Sequence, residues 1–365
     1  MISLLIPDIP VDVTIGLDQY SFNVSKGQIF NGIINIPNGI HIVHFQNGGI
    51  RYGYWLHHND KYNYYLQYDD MNEIFEMKIE NDVIKYDNIL NEYKQRNTLA
   101  EYPTIQEVEQ WSSLVSCIEW EQIVKFVENN EYFIYIDSSM TTKEENDILN
   151  KTLGVNNSEK CENCLEYTPL KFKSRDAIRQ GHEMEDFHDK SYYFNDIIVE
   201  KYYHGNIKLY YSELQFSYMN SVIFGNYGSS LQWHSMIEVI CFAKKILNDS
   251  DFMTSIDKLL YQQLKFLPEE YTELLLNEDM WKRCLFDSFQ GSNLVDTRKI
   301  VAEKLPHIFE IVKGRGSESK VPNVANGNEN NDIEYSEGED SMLPSIDSDD
   351  EDDEGPVIVE SLTYR

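Results

Sequence analysis

The chain has 365 residues, enough for two domains of ordinary size, and its 62 acidic against 31 basic residues give a formal net charge of −31. Such a field repels phosphate backbones, which disfavours direct nucleic-acid binding and points to basic protein surfaces as partners. The 25 Tyr and 17 Phe supply large, partly polar surfaces that suit cores and interfaces alike.

The N-terminal MISLLIPDIP lacks a basic n-region and meets Pro7 and Pro10 before any signal-type apolar stretch. No run reaches the roughly 18 apolar residues of a membrane span, so secretion and membrane insertion are disfavoured. From Val11 to about Lys78 the text is strand-like: VDVTIGL, QYSFNV, GIHIVHF, GIRYGYWL and YNYYLQYD are separated by turn residues such as KGQ, IPNG, QNGG and HHNDK. Five short strands at this spacing predict an antiparallel sandwich or barrel-like module. After Tyr102-Pro103, TIQEVEQWSSLVSCIEWEQIVKFV changes to helical period, YFIYIDSSM returns to strand character, and Thr141 and Thr142 stand three residues before Glu144 and Glu145 as overlapping capping boxes for EENDILNKTL.

Residues 154–166, GVNNSEKCENCLE, are polar and turn-rich, and an inter-domain linker is placed at 154–170. From about Phe172 to Val312 six segments read as helices joined by short turns, an all-α bundle or superhelix. Pro268 stands at a helix start, and Gly225, Gly228 and Gly291 at helix stops. From Lys313 the apolar content collapses, and between Asp332 and Glu354 twelve acidic residues occur with no basic one. That stretch cannot offset its chain entropy by burial and is expected to be disordered when unbound. Only Val357 to Tyr364 regains strand-forming composition.

Candidate chemistry resolves mostly into structure. CENC, with Cys161 and Cys164, is half a zinc site with no second pair, and the five cysteines, with Cys117, Cys241 and Cys284, are an odd number in a long chain, which suits a reducing compartment. GHEMEDFHD gathers His182, Glu183, Glu185, Asp186, His188 and Asp189, but Asp186 occupies the position where a zincin needs its second His. Its carboxylates are expected to cap a helix starting near Asp186. In FGNYGSSLQWH no Lys completes a phosphate loop; Gly225 or Gly228 is expected in a left-handed turn, with Ser229 or Ser230 capping the next helix. His41, His44 and His234 lie in apolar periodic contexts, as hydrogen-bonded core or interface residues do. With no serine-nucleophile elbow either, the chain reads as a binding protein without catalytic residues, metal or cofactor.

Specific strings then carry a likeness. VTIGLDQYSF, FNGIINIPNGIHIVHF, GGIRYGYWL, YIDSSMTTKEEN, FKSRDAIRQGHEMEDFHDKSYYF and FGNYGSSLQWHSMIEVIC resemble the AAR-two splicing-factor family, close to its yeast form, over most of residues 12–312. The resemblance implies an α+β multidomain protein: a β-rich, sandwich-like N-terminal domain with flanking helices (1–153), the linker (154–170), an all-α VHS-like domain (171–313), the disordered acidic tail (314–356) and a docking segment (357–365). It also implies an assembly chaperone of the U5 snRNP. The expected partner is the large U5 scaffold protein (Prp-eight), bound at its RNase H-like and Jab/MPN-like domains together with other U5 proteins, with the U5 helicase (Brr-two) kept off until maturation. Such proteins act in a cytoplasmic precursor and leave it after nuclear import. Two alternatives from other classes are a metal-dependent hydrolase using the His182 to Asp189 cluster and a VHS-like trafficking adaptor; the chain's acidity argues against the adaptor, whose sorting peptides are acidic.

The tail has its own mechanism by β-augmentation. Val357, Val359 and Thr363 would line one face of an added strand and Ile358, Leu362 and Tyr364 the other, on a sheet edge of the scaffold or of the chain's own β-domain. The acidic tract is a tether spanning roughly 35 Å on average. Ser336 and Ser348 each precede Glu by three residues, the acidic context of casein-kinase-type enzymes, and Ser250 precedes a helix as a further candidate for phosphorylation or as its N-cap.

Overall fold

A computed structural model describes residues 2–308 except 48, 59–61, 104, 128–131, 155–163, 173 and 286–292. Cys161, Gly291 and the segments 314–356 and 357–365 lie outside the described residues.

Among the described residues ten strands form two five-stranded sheets. The first has the order β8 (Ile74–Ile79), β7 (Tyr64–Asp69), β1 (Ile2–Leu5), β4 (Gly32–Ile36), β9 (Ala100–Glu101). The second has the order β10 (Phe133–Asp137), β6 (Ile50–His58), β5 (Gly39–Asn47), β2 (Val13–Leu17), β3 (Tyr20–Val24). The five strands expected from alternation are β2, β3, β5, β6 and β7, and the brief strand after the first helices is β10. β1, β4, β8 and β9 are additional, as is helix α1 (Val83–Arg96), which buries only Tyr86 and so shows little apolar period. Short strands leave too few alternations to be told from their turns.

The second sheet is covered on both faces. Val43, Phe45, Tyr52 and Tyr54 pack with Leu4, Leu66 and Phe75 of the first sheet, while Ile42, Trp55, Ile134 and Ile136 face the other way into the helical core. Adjacent residues of one strand thus enter different cores, as a pleated strand requires. Gly53 makes this packing tight: a Cβ there would stand 2.1 Å from the Val43 carbonyl oxygen.

On the outer face lie α2 (Ile105–Leu114), α3 (Trp120–Ile123) and α4 (Lys143–Thr152), then α5 (Glu183–His188) and a π-helix (Tyr193–Tyr202). The bundle is completed by α6 (Ile207–Ile223), α7 (Tyr227–Phe242), α8 (Ser250–Phe266), α9 (Glu269–Leu274), α10 (Glu278–Arg283) and α11 (Val295–Lys304). The segment read as one helix from Pro268 is two, α9 and α10, interrupted where Asn277 caps the second. Every residue of α6 from Tyr210 to Ile223 is buried, so this central helix has no solvent-exposed face over that stretch. Pro268 does precede a helix, and Gly225, with φ of 68°, ends one. Gly228 does not: it lies inside α7, where a Cβ would meet Thr142 Cγ2 at 2.5 Å.

The sheets and helices belong to one compact unit. A hydrogen-bonded chain crosses between them: Trp55 Nε1 donates to Asn220 Oδ1 at 2.7 Å, Asn220 Nδ2 to Tyr167 Oη at 3.1 Å, and Tyr167 Oη meets Ser229 Oγ at 2.8 Å. Ser229 Oγ donates to Asn226 Oδ1, whose Nδ2 reaches Met140 O at 2.7 Å. Residues 164–170, assigned by composition to the linker, are packed into this structure. Leu165 is fully buried and bridges to Val127 and Thr142, and Thr168 gives its N–H and hydroxyl to Glu213. Polar residues with buried partners look like a linker in composition alone.

Candidate protein-binding site

The buried titratable groups are saturated by neighbours and serve the scaffold. Glu213, on the central helix, accepts from Thr168 N (2.8 Å), Thr168 Oγ1 (2.7 Å), Tyr203 Oη (2.6 Å) and Gln232 Nε2 (2.8 Å); burial pushes its carboxyl above the usual range. His41 Nδ1 is 2.7 Å from Asp18 Oδ2 and its Nε2 is 3.0 Å from Pro37 O. Burial opposes its charge, yet the Asp18 carboxylate and the Pro37 carbonyl hold its pKa above the ordinary value. With an acceptor at each nitrogen, the ring is an imidazolium donating twice.

The other two histidines are held neutral. Burial lowers His44 to about 4, with Nε2 donating to Asp18 O at 3.1 Å. His234 is likewise lowered to about 4 by burial, its Nδ1 donating to Ser230 O at 2.8 Å and its Nε2 accepting from Asn277 N at 3.1 Å. All three are thus hydrogen-bonded within the fold, His41 and His234 buried and His44 half-buried.

The clusters singled out in the sequence have structural partners. Asp186 lies within α5 rather than before it, and Arg179 grips it through N, Nε and Nη2 at 2.8, 3.0 and 2.6 Å. His182 Nδ1 pairs with Glu185 at 2.9 Å. Among the described residues no group of three or more His, Cys, Asp or Glu is placed to hold a metal ion. Cys164, Cys241 and Cys284 are buried and Cys117 is half-buried. At the start of α7 the cap is Asn226, accepting from Ser229 N at 2.9 Å, rather than Ser229 or Ser230. An Asn directly after the left-handed Gly225 reaches the N–H of the third helical residue, Ser229, better than a serine already inside the turn.

Exposed apolar side chains stand on α4, α7 and α9, of which α7 touches each of the other two. Thr142 and Glu145 form a reciprocal capping box at the start of α4, and Gly228 lets the first turn of α7 rest on it. No residue of α4 is buried, and Ile148, Leu149 and Leu153, the last 70% exposed, remain uncovered. Tyr227 and Leu231 are exposed one turn apart on α7. Ser230 Oγ, between them, contacts Tyr271 Oη at 2.8 Å and donates to Leu275 O at 3.2 Å, which brings up α9 with Leu274, 80% exposed. Ion pairs lie on the starts of α4 and α9: Lys143 with Glu166 at 3.1 Å, Lys171 with Glu144 at 3.3 Å and Arg51 with Glu270 at 3.5 Å. Exposed apolar side chains with charged neighbours are the residue types that protein-binding faces use.

Of the sequence-derived candidates, Val357, Ile358, Val359, Leu362, Thr363, Tyr364, Ser336 and Ser348 lie outside the described residues. Ser250 is exposed and is the first residue of α8; it is not the cap. Asp249 holds that position, accepting from Asp251 N and Phe252 N at 3.1 and 3.0 Å. The patch on α4, α7 and α9 escaped sequence reading, although the apolar Ile148, Leu149 and Leu153 in an otherwise polar helix were a signal for it.

The chain matches two family models. One, described as the AAR2 N-terminal domain, covers residues 2–128, and one described as the AAR2 C-terminal repeat region covers residues 167–318. It is 41% identical over 372 aligned residues to the A1 cistron-splicing factor AAR2 of Saccharomyces cerevisiae, with 98% of this chain and 97% of that protein aligned. At that identity, over nearly the whole of both chains, the protein belongs to the AAR2 family.

Proposed function

We propose that this protein acts in pre-mRNA splicing as a non-enzymatic assembly chaperone of the U5 snRNP. The observation that carries the reading is the 41% identity to a splicing factor, which spans both the sheets and the helical bundle. Its partner is the large U5 scaffold protein (Prp-eight), engaged at the RNase H-like and Jab/MPN-like domains, and the complex keeps the U5 helicase (Brr-two) off until maturation. Two features support binding to a protein. The exposed apolar surface of Leu149, Leu153, Tyr227, Leu231 and Leu274 offers contact area, and the −31 net charge favours a basic partner face. The strand-forming segment 357–365 is a second attachment point that raises the effective concentration of the first. The cycle begins in the cytoplasm and ends in the nucleus.

Release is by phosphorylation. Ser250 is exposed at the head of α8 and Asp249 already caps that helix, so modification there would not have to displace a cap. A phosphate between Asp249 and Asp251 adds like charge beside two carboxylates, which disfavours docking on any surface that is not strongly basic. Ser336 and Ser348 offer the same change in the tail. Affinity purification with mass spectrometry tests the reading, comparing the full chain, a chain ending at Gly355 and S250E. U5 proteins should copurify with the full chain, less with the other two. Their absence from the full-chain eluate would overturn the assignment.

A further inference from the structure

β3 ends the second sheet, and its ladder partner among the described residues is β2. Asp18 N donates to Ile42 O at 2.7 Å, so Asp18, Gly16 and Thr14 turn their main-chain groups to β5. Main-chain direction alternates along a strand, and Leu17, Ile15 and Val13 therefore bond Tyr20, Phe22 and Val24. Ser21 and Asn23 are left with N–H and C=O directed out of the sheet, and both residues are exposed. The Asn23 side chain is engaged with β2, its Oδ1 accepting from Thr14 Oγ1 at 2.7 Å.

The other sheet edges carry charge and this one does not. β8 has Glu76 and Lys78, β9 has only two residues, one of them the exposed Glu101, and β10 ends in Asp137. The β3 sequence, YSFNV, has no charge and no proline. Across residues 19–31, QYSFNVSKGQIFN, Lys26 is the one charge, in a chain of which 25% is charged. Beside the outward main-chain groups runs an apolar row: Phe22 is 37% exposed with its ring 5.2 Å from Phe30, and Ile29 is 78% exposed.

We propose that this edge pairs with the same edge of a second copy, β3 against β3 about a two-fold axis, so that the second sheets of two molecules join into one continuous sheet. The pattern is self-complementary. In antiparallel pairing with Phe22 on the axis, Ser21 of each copy lies opposite Asn23 of the other, and these outward residues exchange both N–H···O bonds. Phe22 then meets Phe22 at a non-hydrogen-bonded position, where cross-strand side chains come closest, and the Phe30 and Ile29 side chains extend the apolar strip on either side. Charge selects the same place. At −31 two copies repel, and contact costs least where the local surface is uncharged. A foreign partner suited to so acidic a chain would be basic, and β3 offers it no carboxylate. One five-residue strand from each copy makes an interface at the low end of the range, near about 1,200 Å², so the dimer is weak, half-formed at about 100 µM. Nothing in this pairing depends on a U5 partner.

Sedimentation of the full chain tests this. The weight-average mass should rise from that of the monomer at about 1 µM towards twice that value at roughly 500 µM. Raising salt from about 0.05 to 0.5 M should strengthen association severalfold, because screening relieves the repulsion between two acidic chains and the paired strands hold no ion pair. S21P removes an outward N–H while leaving the ladder to β2 intact, and F22D sets two carboxylates face to face on the axis; each should weaken association about tenfold or more. Hydrogen exchange on the natural chain locates the contact without needing a variant to fold: amides in peptides spanning Tyr20–Val24 should slow severalfold between about 1 and 500 µM. A chain that stays monomeric over that range would overturn the proposal. So would association that both variants leave unchanged, or exchange at Tyr20–Val24 that does not vary with protein concentration.

Discussion

At the scale of single residues, buried polar groups hold the sheets to the helices. Asn220 is fully buried and links Trp55 to Tyr167; Asn220→Ala leaves the indole N–H without its acceptor and opens a small cavity. The expected cost is about 2–4 kcal/mol, read as a lower urea midpoint with an unchanged m value. His234 gives a pH dependence whose sign follows from its lowered pKa. Unfolded, the ring takes a proton near 6.5; folded, it resists until about 4, because protonated Nε2 would face the Asn277 N–H donor. Its contribution is complete above pH 6.5 and is lost as pH falls towards 4. Between pH 7 and 4.5 it should remove about 2–3 kcal/mol. Urea titrations at the two pH values should show that loss in the natural chain, and a correspondingly smaller one in H234Q. His41 acts in the opposite sense, its raised pKa giving stability that is complete below 6.5 and lost as pH rises through its folded value, so the comparison with H234Q isolates the His234 loss.

At the scale of elements, α4 separates stability from binding. Its capping box ties Thr142 and Glu145, and Thr142→Ala should cost about 1 kcal/mol, measured as a fall in melting temperature. Leu149 is half-exposed on the same helix, and L149D should leave the melting temperature within about 1–2 °C while weakening partner capture. Unchanged capture would remove the α4, α7 and α9 surface from the interface. The capping box was legible because its grammar is local: a hydroxyl and a carboxylate three residues apart. The cap of α7 was misplaced by three or four residues because Asn226 and two serines compete within one turn. Local spacing allows each; the left-handed Gly225 selects the first.

At the scale of the whole molecule, the helical core begins on the back of the second sheet. Ile42, Trp55, Ile134 and Ile136 lose their packing if the helices unfold, so the two regions should melt together. Urea unfolding followed by tryptophan fluorescence and by far-ultraviolet circular dichroism should give one coincident transition. Two separated transitions would show that the sheets and helices fold independently. Fragments 1–153 and 171–313 should each be poorly soluble, since each would expose one side of that shared core.

The sequence by itself determined the division into β-rich and helical regions, the strands of the central hairpins and the reciprocal cap of α4. These depend on alternation, period and capping over fewer than about ten residues, where local chemistry suffices. It also carried the likeness to a splicing-factor family, written in strings from both halves. Only the tertiary structure decided that Trp55 meets Asn220, that residues 164–170 are packed, and that Asn226 rather than a serine caps α7. Those outcomes depend on which distant segments come to lie side by side, and that is a property of long-range packing rather than of local preference.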